Sequence, residues 1–560
     1  MTSFFKKTAP IIWLYLFLLS PCFGQIPVSD CFRIYLKGKG GTPYKVDNPE
    51  AFLSPRAIDK RLRFGIPITE EDLPLNPAHE QGILTIDPDI RVLARSKWLN
   101  TITVYCSHPN LLTAIQQLPY VDSIRAVAAY ALEAVPVLTP ETMLAALPAQ
   151  SYRDDEPEPD PRTQLSIHQG DMLQKAGFRG NGILLAMFDV GWRGFDTIAY
   201  FRPLYQTGQL AGFKNLVPQF HDDIYEGHGH GTNCASIICM NKDDVLTGSA
   251  PEATFYFIRS EHPDSENPIE EDFWAYAAEI ADSLGVDVIS SSLGYTRFPD
   301  FFDPTDLSWN YSLCNGASSM ASKAASKLAS KGIILCVAQG NDGNDEWKYL
   351  CRPADASNVL SVGAITPDKQ HANFSSFGPS ADGRIKPDVC AIGSSTAYID
   401  DSGTLQFGNG TSLATPVIAG LTACLWQALP HKNAFEIMQI VRESSHLFQN
   451  PNDSLGYGIP NFYEAYLNHR LGVSPVKNNT RNHVFLFPNP TSCYLSIFSE
   501  KPMQSATIYT LAGQEMLHAD LSGISRETLN ITTLSCGIYL VKIVDTRGGQ
   551  TTRKIVVIAR

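Results

Sequence analysis

Four polar residues, each next to an apolar run, have the types and order needed for acyl transfer. Ser412 stands in Gly410-Thr411-Ser412-Leu413-Ala414-Thr415-Pro416, and Val417, Ile418, Leu421, Cys424 and Leu425 follow at helical spacing. A serine in the first turn of a buried helix lies among N–H groups with no intrahelical partner, where the helix dipole favours negative charge. An oxyanion formed on attack by Ser412 can use one of those N–H groups; the plain alternative is an N-cap serine. Asp189 ends the run Ala186-Met187-Phe188, and a carboxylate there is costly unless something pairs with it; a turn is the alternative. His230 stands among glycines in Gly227-His228-Gly229-His230-Gly231-Thr232, ahead of an apolar helix. Gly231 lets a substrate backbone approach the ring, and a buried neutral imidazole needs an acceptor, which Asp189 can supply. His228 and His221 raise a metal alternative, but no third and fourth ligands have the expected spacing. Asp189 orients the imidazole, His230 moves the proton and Ser412 attacks. Asn341 follows the run Ile333–Val337, and its amide can donate to the developing oxyanion; alone, Gly340-Asn341-Asp342-Gly343 is a turn.

The elements that position these residues begin at Gln164. Helical stretches alternate with short apolar runs at Ile183–Phe188, Ala253–Ile258, Val286–Ile289, Ile333–Val337 and Val359–Val362. Continuous apolar runs between helices predict an α/β unit, residues 164–470, whose parallel sheet is covered on both faces and carries active residues at its carboxyl ends. Residues 25–147 read as a small α+β unit, with strands at Arg33–Leu36, Thr101–Tyr105 and Val121–Val127 and a helix over Asn110–Leu118. Between the two lies a Pro-rich acidic linker, 148–163, too polar to bury a core and exposed to cleavage. Signal, small domain, linker and large domain in that order suggest a propeptide; the alternative is an independent N-terminal module. After a second linker, 471–482, residues 483–560 read as a small antiparallel β-sandwich, with strands at Tyr494–Phe498, Ala506–Tyr509, Gly537–Ile543 and Lys554–Ile558.

With 560 residues, 44% of them hydrophobic, the chain is globular and has several domains. A net charge of −13 argues against nucleic acid or anionic membrane as partners. Residues 1–24 carry Lys6, Lys7 and an apolar core from Ile11 to Leu19, a secretory signal cut before Gln25. A lipid anchor at Cys22 is disfavoured by Pro21. No later stretch has the length of a membrane span. Setting Cys22 aside, eleven of the 12 cysteines remain, without a CxxC pair; Cys336, Cys390 and Cys424 sit in apolar runs as buried thiols.

The segments around Asp189, His230, Asn341 and Ser412, in that order, resemble the subtilisin-like serine peptidases. His230-Gly231-Thr232, Gly340-Asn341 and Gly410-Thr411-Ser412-Leu413-Ala414-Thr415-Pro416 match the family motifs; Asp189-Val190-Gly191 has Val where Thr or Ser is commoner. Phe377-Gly378-Pro379 and Lys386-Pro387-Asp388-Val389 match further family signposts. The resemblance implies a subtilisin-like parallel sheet with helices on both faces. It also implies the triad Asp189, His230 and Ser412, an oxyanion held by Asn341, and a substrate pocket walled by Ser292, Leu293 and Gly294. The N-terminal unit takes the place of a propeptide that assists folding and blocks the cleft. No cofactor is required; calcium is common in the family, but no ligand run is identified. Phe485–Thr491 (Phe-Leu-Phe-Pro-Asn-Pro-Thr), Leu511-Ala512-Gly513, Gly537–Lys542 and Lys554–Val557 resemble the C-terminal sorting domain of the type IX secretion system. Together these imply a secreted or surface serine endopeptidase. It passes through the periplasm, and its partners are peptide or protein substrates, its own propeptide and the secretion machinery. The alternatives are a catalytically silent surface binding protein of the same fold and another acyl-transfer enzyme. No Gly-x-Ser-x-Gly elbow surrounds Ser412, which counts against an α/β-hydrolase.

Overall fold

The computed structural model describes residues 30–128, 160–218, 223–298, 301, 310–470, 484–487, 491 and 494–557. The expected signal segment, most of the acidic linker and the second linker lie outside them. A seven-stranded parallel sheet forms the centre, in the spatial order Val389–Ile392, Leu360–Ile365, Ile334–Ala338, Val288–Ser291, Leu184–Asp189, Thr254–Arg259, Leu210–Asn215. Five of these strands contain the expected apolar runs. The two edge strands, Leu210–Asn215 and Val389–Ile392, were not expected. Leu-Ala-Gly-Phe-Lys-Asn is half-exposed and too polar to read as a buried strand, and Val389–Ile392 has only four residues.

Alternation along each strand feeds two cores. Leu185 and Met187 pack under the helices His230–Cys239 and Thr411–Ala428, whereas Leu184, Ala186 and Phe188 pack under Ile269–Leu284 and Met320–Leu328. The chain enters at the central strand Leu184–Asp189, passes to the edge strand Leu210–Asn215, fills the gap with Thr254–Arg259, and crosses to the other side of the first strand at Val288–Ser291. Strand order therefore reverses between Asp189 and Ser291, and such a switch point opens a crevice at the carboxyl ends.

The N-terminal unit is an antiparallel sheet in the order Arg91–Ser96, Thr101–Tyr105, Cys31–Leu36, Val121–Ala128, with helices at Pro55–Phe64 and Pro77–Leu84. Ser54 caps the first helix by accepting from the Ala57 N–H, and Gly65 stops it at φ 63°. This unit sits on the helix Ile269–Leu284 through buried charge. Arg33 grips Asp272 with Nε at 2.7 Å and Nη2 at 2.5 Å. Arg61 Nη2 lies 2.7 Å from Asp282 Oδ1, and Lys97 Nζ lies 3.2 Å from Asp282 Oδ2. Glu279 accepts from Ser96 Oγ and from the Lys97 and Trp98 N–H groups. Lys60 donates to the Val286 carbonyl, and Arg56 pairs with Asp287. Val127 and Ala128, ending the last strand, join one apolar cluster with Leu293, Tyr295 and Phe298 of the central unit.

The described strands of the C-terminal unit pair antiparallel, and Thr491 adds an isolated parallel bridge to Val557. The strands expected at Tyr494–Phe498 and Ala506–Tyr509 are two halves of one long strand, Tyr494–Thr510, whose register breaks between Phe498 and Met503. A further strand, Glu515–Asn530, was not expected, because its polar residues and Gly523 hide the alternation. One half of Tyr494–Thr510 pairs with Val484–Phe487 and the other with Gly537–Asp545, so the strands enclose Leu495, Ile497, Ile508, Val541 and Ile555.

Replacing Asp272 by Ala leaves the Arg33 guanidinium buried without its carboxylate, a cost of about 3–5 kcal/mol. Urea unfolding of the full chain should show this as a lowered midpoint for the N-terminal unit. The paired replacement of Arg33→Met with Asp272→Leu should lose much less; equal midpoints for all three proteins would exclude the role given to the pair.

Candidate active site

The sheet's carboxyl edge opens into a cleft of about 370 Å³ lined by His230, Ser292, Leu293, Gly294, Asn341 and Ser412 among others. Asp189 ends its strand fully buried. Its Oδ1 accepts from the Val190 N–H at 2.9 Å and from His230 Nδ1 at 2.8 Å. An ionised carboxylate can only accept, so Nδ1 carries the proton and Nε2 is left as the base. Asp189 Oδ2 is buried without a hydrogen-bond partner.

His230 opens the helix His230–Cys239, and its own N–H donates to His228 Nδ1 at 3.1 Å. Both histidines line the cleft, and His228 serves the base as a cap; His221 lies outside the described residues. Gly231 has a different reason from the one expected. A Cβ there would come within 2.5 Å of the Gly191 carbonyl and 2.8 Å of the Trp192 ring, so the glycine lets the histidine helix pack onto the aspartate loop. Gly191, at φ 152°, leaves room for Arg259. Arg259 pairs in register with Asp189 and donates to the Asp223, Ile224 and Glu226 carbonyls, fixing the loop that leads to His228.

Ser412 occupies the first turn of Thr411–Ala428. Pro416, four residues on, has no N–H, so the Ser412 carbonyl has no helical donor. Two side chains replace it: the Ser292 hydroxyl donates at 2.8 Å and the Cys234 thiol at 3.4 Å. Ser292, expected in the pocket wall, thus also holds the serine turn from the neighbouring strand end. Cys234 was not singled out, although it stands one helical turn beyond His230. Its Sγ lies 3.8 Å from both ring nitrogens, and burial pushes the thiol up. Among the described residues Ser412 Oγ makes no hydrogen bond; such bonds commonly tighten only with substrate. Thr411 donates from N and Oγ1, each at 2.9 Å, to Asn341 Oδ1. Nδ2 of the exposed Asn341 is thereby left for another partner, and Asn341 and Ser412 line the same cleft. Gly294 packs so tightly on Cys351 that a Cβ would stand 2.1 Å from Sγ. The ten described cysteines are free thiols, nine of them buried, including Cys336, Cys390 and Cys424.

An α/β unit with an Asp–His pair and a helix-borne serine at a switch-point cleft belongs to the class of serine hydrolases by design. Residues 209–458 match the model of the subtilase family, residues 31–139 that of the Peptidase S8 propeptide domain of Bacteroidota, and residues 485–558 that of a secretion system C-terminal sorting domain. The chain carries a subtilase domain, and its C-terminal sorting domain indicates type IX export to the cell surface or secretion. The first match contains His230, Asn341 and Ser412; Asp189 precedes it and joins them by geometry. The chain is 27% identical over 316 residues to "Serine protease AprX" of Bacillus subtilis (strain 168), covering 51% of this chain and 64% of that one. It is 28% identical over 313 residues to "Subtilisin-like protease SBT6.1" of Arabidopsis thaliana, covering 54% and 26%. It is 26% identical over 347 residues to "M-protease" of Shouchella clausii (strain KSM-K16), covering 60% and 78%. The chain thus spans less than two thirds of the length of the first two relatives. Among the described residues no helix is long and apolar enough to cross a membrane.

Burial alone would lower the His230 pKa, but the Asp189 charge and hydrogen bond outweigh it and raise the ring well above 6.5. The charged imidazole–carboxylate pair therefore adds stability below the ordinary histidine value, and this is lost as pH rises through the raised one. NMR titration of the ring should give a midpoint above 6.5, and Asp189→Asn should lower it. A midpoint unmoved by Asp189→Asn would remove the aspartate from that role.

Proposed function

We propose that the chain is a secreted serine endopeptidase acting through Asp189, His230 and Ser412. The observation that carries this reading is the 2.8 Å contact of His230 Nδ1 with fully buried Asp189, which leaves Nε2 as the base in the cleft that Ser412 lines. His230 Nε2 takes the proton as Ser412 Oγ attacks the peptide carbonyl. The tetrahedral oxyanion accepts from Asn341 Nδ2 and the Ser412 N–H. His230 then gives its proton to the leaving amine, and an ester remains on Ser412. Water, deprotonated by the same nitrogen, releases the acid and restores the serine. The scheme uses no cofactor. The pocket beside it is walled by Ser292, Leu293 and Gly294. The N-terminal domain, seated beside that wall, blocks the cleft until it is cut away. The type IX machinery reads the C-terminal domain, and the substrates are peptides or proteins.

A fluorophosphonate probe should label the secreted, processed protein and not Ser412→Ala. Absence of labelling in a processed protein freed of its N-terminal domain would favour the catalytically silent binding protein. Asn341→Ala should lower kcat by about 10²–10³ with little change in KM. An effect confined to KM would take Asn341 out of the oxyanion site.

A further inference from the structure

The cleft gathers more carboxyl groups than hydrolysis uses. Glu261, Glu266 and Glu270 converge so that one oxygen of each lies within 4.8 Å of the others. Glu261 and Glu266 line the same cleft as His230 and Ser412, and Glu270 lies beneath them at the start of the helix Ile269–Leu284. Glu261 is 9% exposed and Glu270 0%. Both oxygens of Glu270 and Oε2 of Glu261 are buried with no hydrogen-bond partner among the described residues. The Tyr295 hydroxyl, 1% exposed and also unpartnered, feels the same carboxylates.

Burial pushes the Glu261 and Glu270 carboxyls up, and their carboxylate neighbours push the same way: Glu266 and Asp189 on Glu261, Glu261 and Glu266 on Glu270. His230 opposes this for Glu261, and the His262 and Asn267 backbone N–H groups, nearby but outside hydrogen-bond geometry, oppose it for Glu270. Such a group is a poor structural device, since apolar residues would fill the space without the penalty. It is a good seat for a cation that arrives from outside. A hard divalent ion asks for about six to eight oxygens. A guanidinium or ammonium group asks for two or three carboxylates in an opening along the substrate's path, which is what the cleft supplies.

We propose that Glu261, Glu266 and Glu270 form a subsite for a cationic group of the peptide substrate, either a lysine or arginine side chain or a free amino terminus. This rests on the peptidase reading. The group selects which peptide bond reaches Ser412 and takes no part in the chemistry.

The test uses processed protein and peptides whose scissile amide is replaced by a reduced bond, so that binding is read without turnover. Lysine, arginine or norleucine is placed at each position in turn, with the amino terminus free or acetylated. One placement of a cation should tighten Kd by at least about tenfold over norleucine. Sensitivity to acetylation identifies an amino terminus, and insensitivity a side chain. In Glu270→Gln, and in the rim variant Glu261→Gln should the first melt early, the ratio of the two Kd values should fall to about one. The same ratio should appear in kcat/KM for the cleavable peptides. No preference at any position, or a preference that both variants keep, would overturn the proposal. Stoichiometric binding of calcium alone, abolished by Glu270→Gln and without any peptide preference, would overturn it in favour of a metal site. A cation preference in binding without any cleavage would instead end the peptidase reading and keep the subsite.

Discussion

The cleft is arranged around a carboxylate that water cannot reach. Asp189 is fully buried at the end of a central strand, where the Val190 N–H and His230 Nδ1 satisfy Oδ1. That requirement propagates outward. The histidine helix must start against the aspartate loop, which demands glycine at 231 and 191. The loop before the helix must be held, and Arg259 does so from the adjacent strand end. Base strength, ring tautomer and close packing thus follow from one buried charge.

A second constraint acts on the serine. A proline inside a helix normally destabilises it by about 3 kcal/mol. Here Pro416 frees the Ser412 carbonyl, and side chains from two other elements take it up. Three segments distant in sequence therefore meet at one carbonyl, that of Ser412. The Ser412 turn is tied to the helix His230–Cys239 through Cys234 and to the end of the strand Val288–Ser291 through Ser292.

Most of the central unit was legible because its signals are local. Five apolar runs announced five strands, and residues just past them were the ones worth reading. Two edge strands escaped, one through polarity and one through brevity. Glu515–Asn530 escaped because its alternation is interrupted. The motifs around Asp189, His230, Asn341 and Ser412 are contiguous strings that singled those residues out, and the structure gathers them at one cleft. What they do not reveal is contact across the chain. Arg33 and Asp272 are 239 residues apart. Ser292 and Ser412 are 120 apart. Glu261, Glu266 and Glu270 lie close in sequence, yet a row of acids reads as a solvated face until burial shows otherwise. Gly231 was explained by the wrong neighbour for the same reason.

The helix Ile269–Leu284 serves two surfaces. Its first turn sends Glu270 toward the cleft, while Asp272, Glu279 and Asp282 hold the basic and N–H groups of the N-terminal unit. When that unit is cut away, the helix bares an acidic stripe, and the departing domain carries a matching basic one. Their reunion is then steered over a distance of about one Debye length, some 8–10 Å in ordinary saline, and fades as ions accumulate. The ionic strength of the surroundings thereby becomes a timer. Under the proposed propeptide role, dilute medium favours return of the released domain to its helix, and high salt favours its departure.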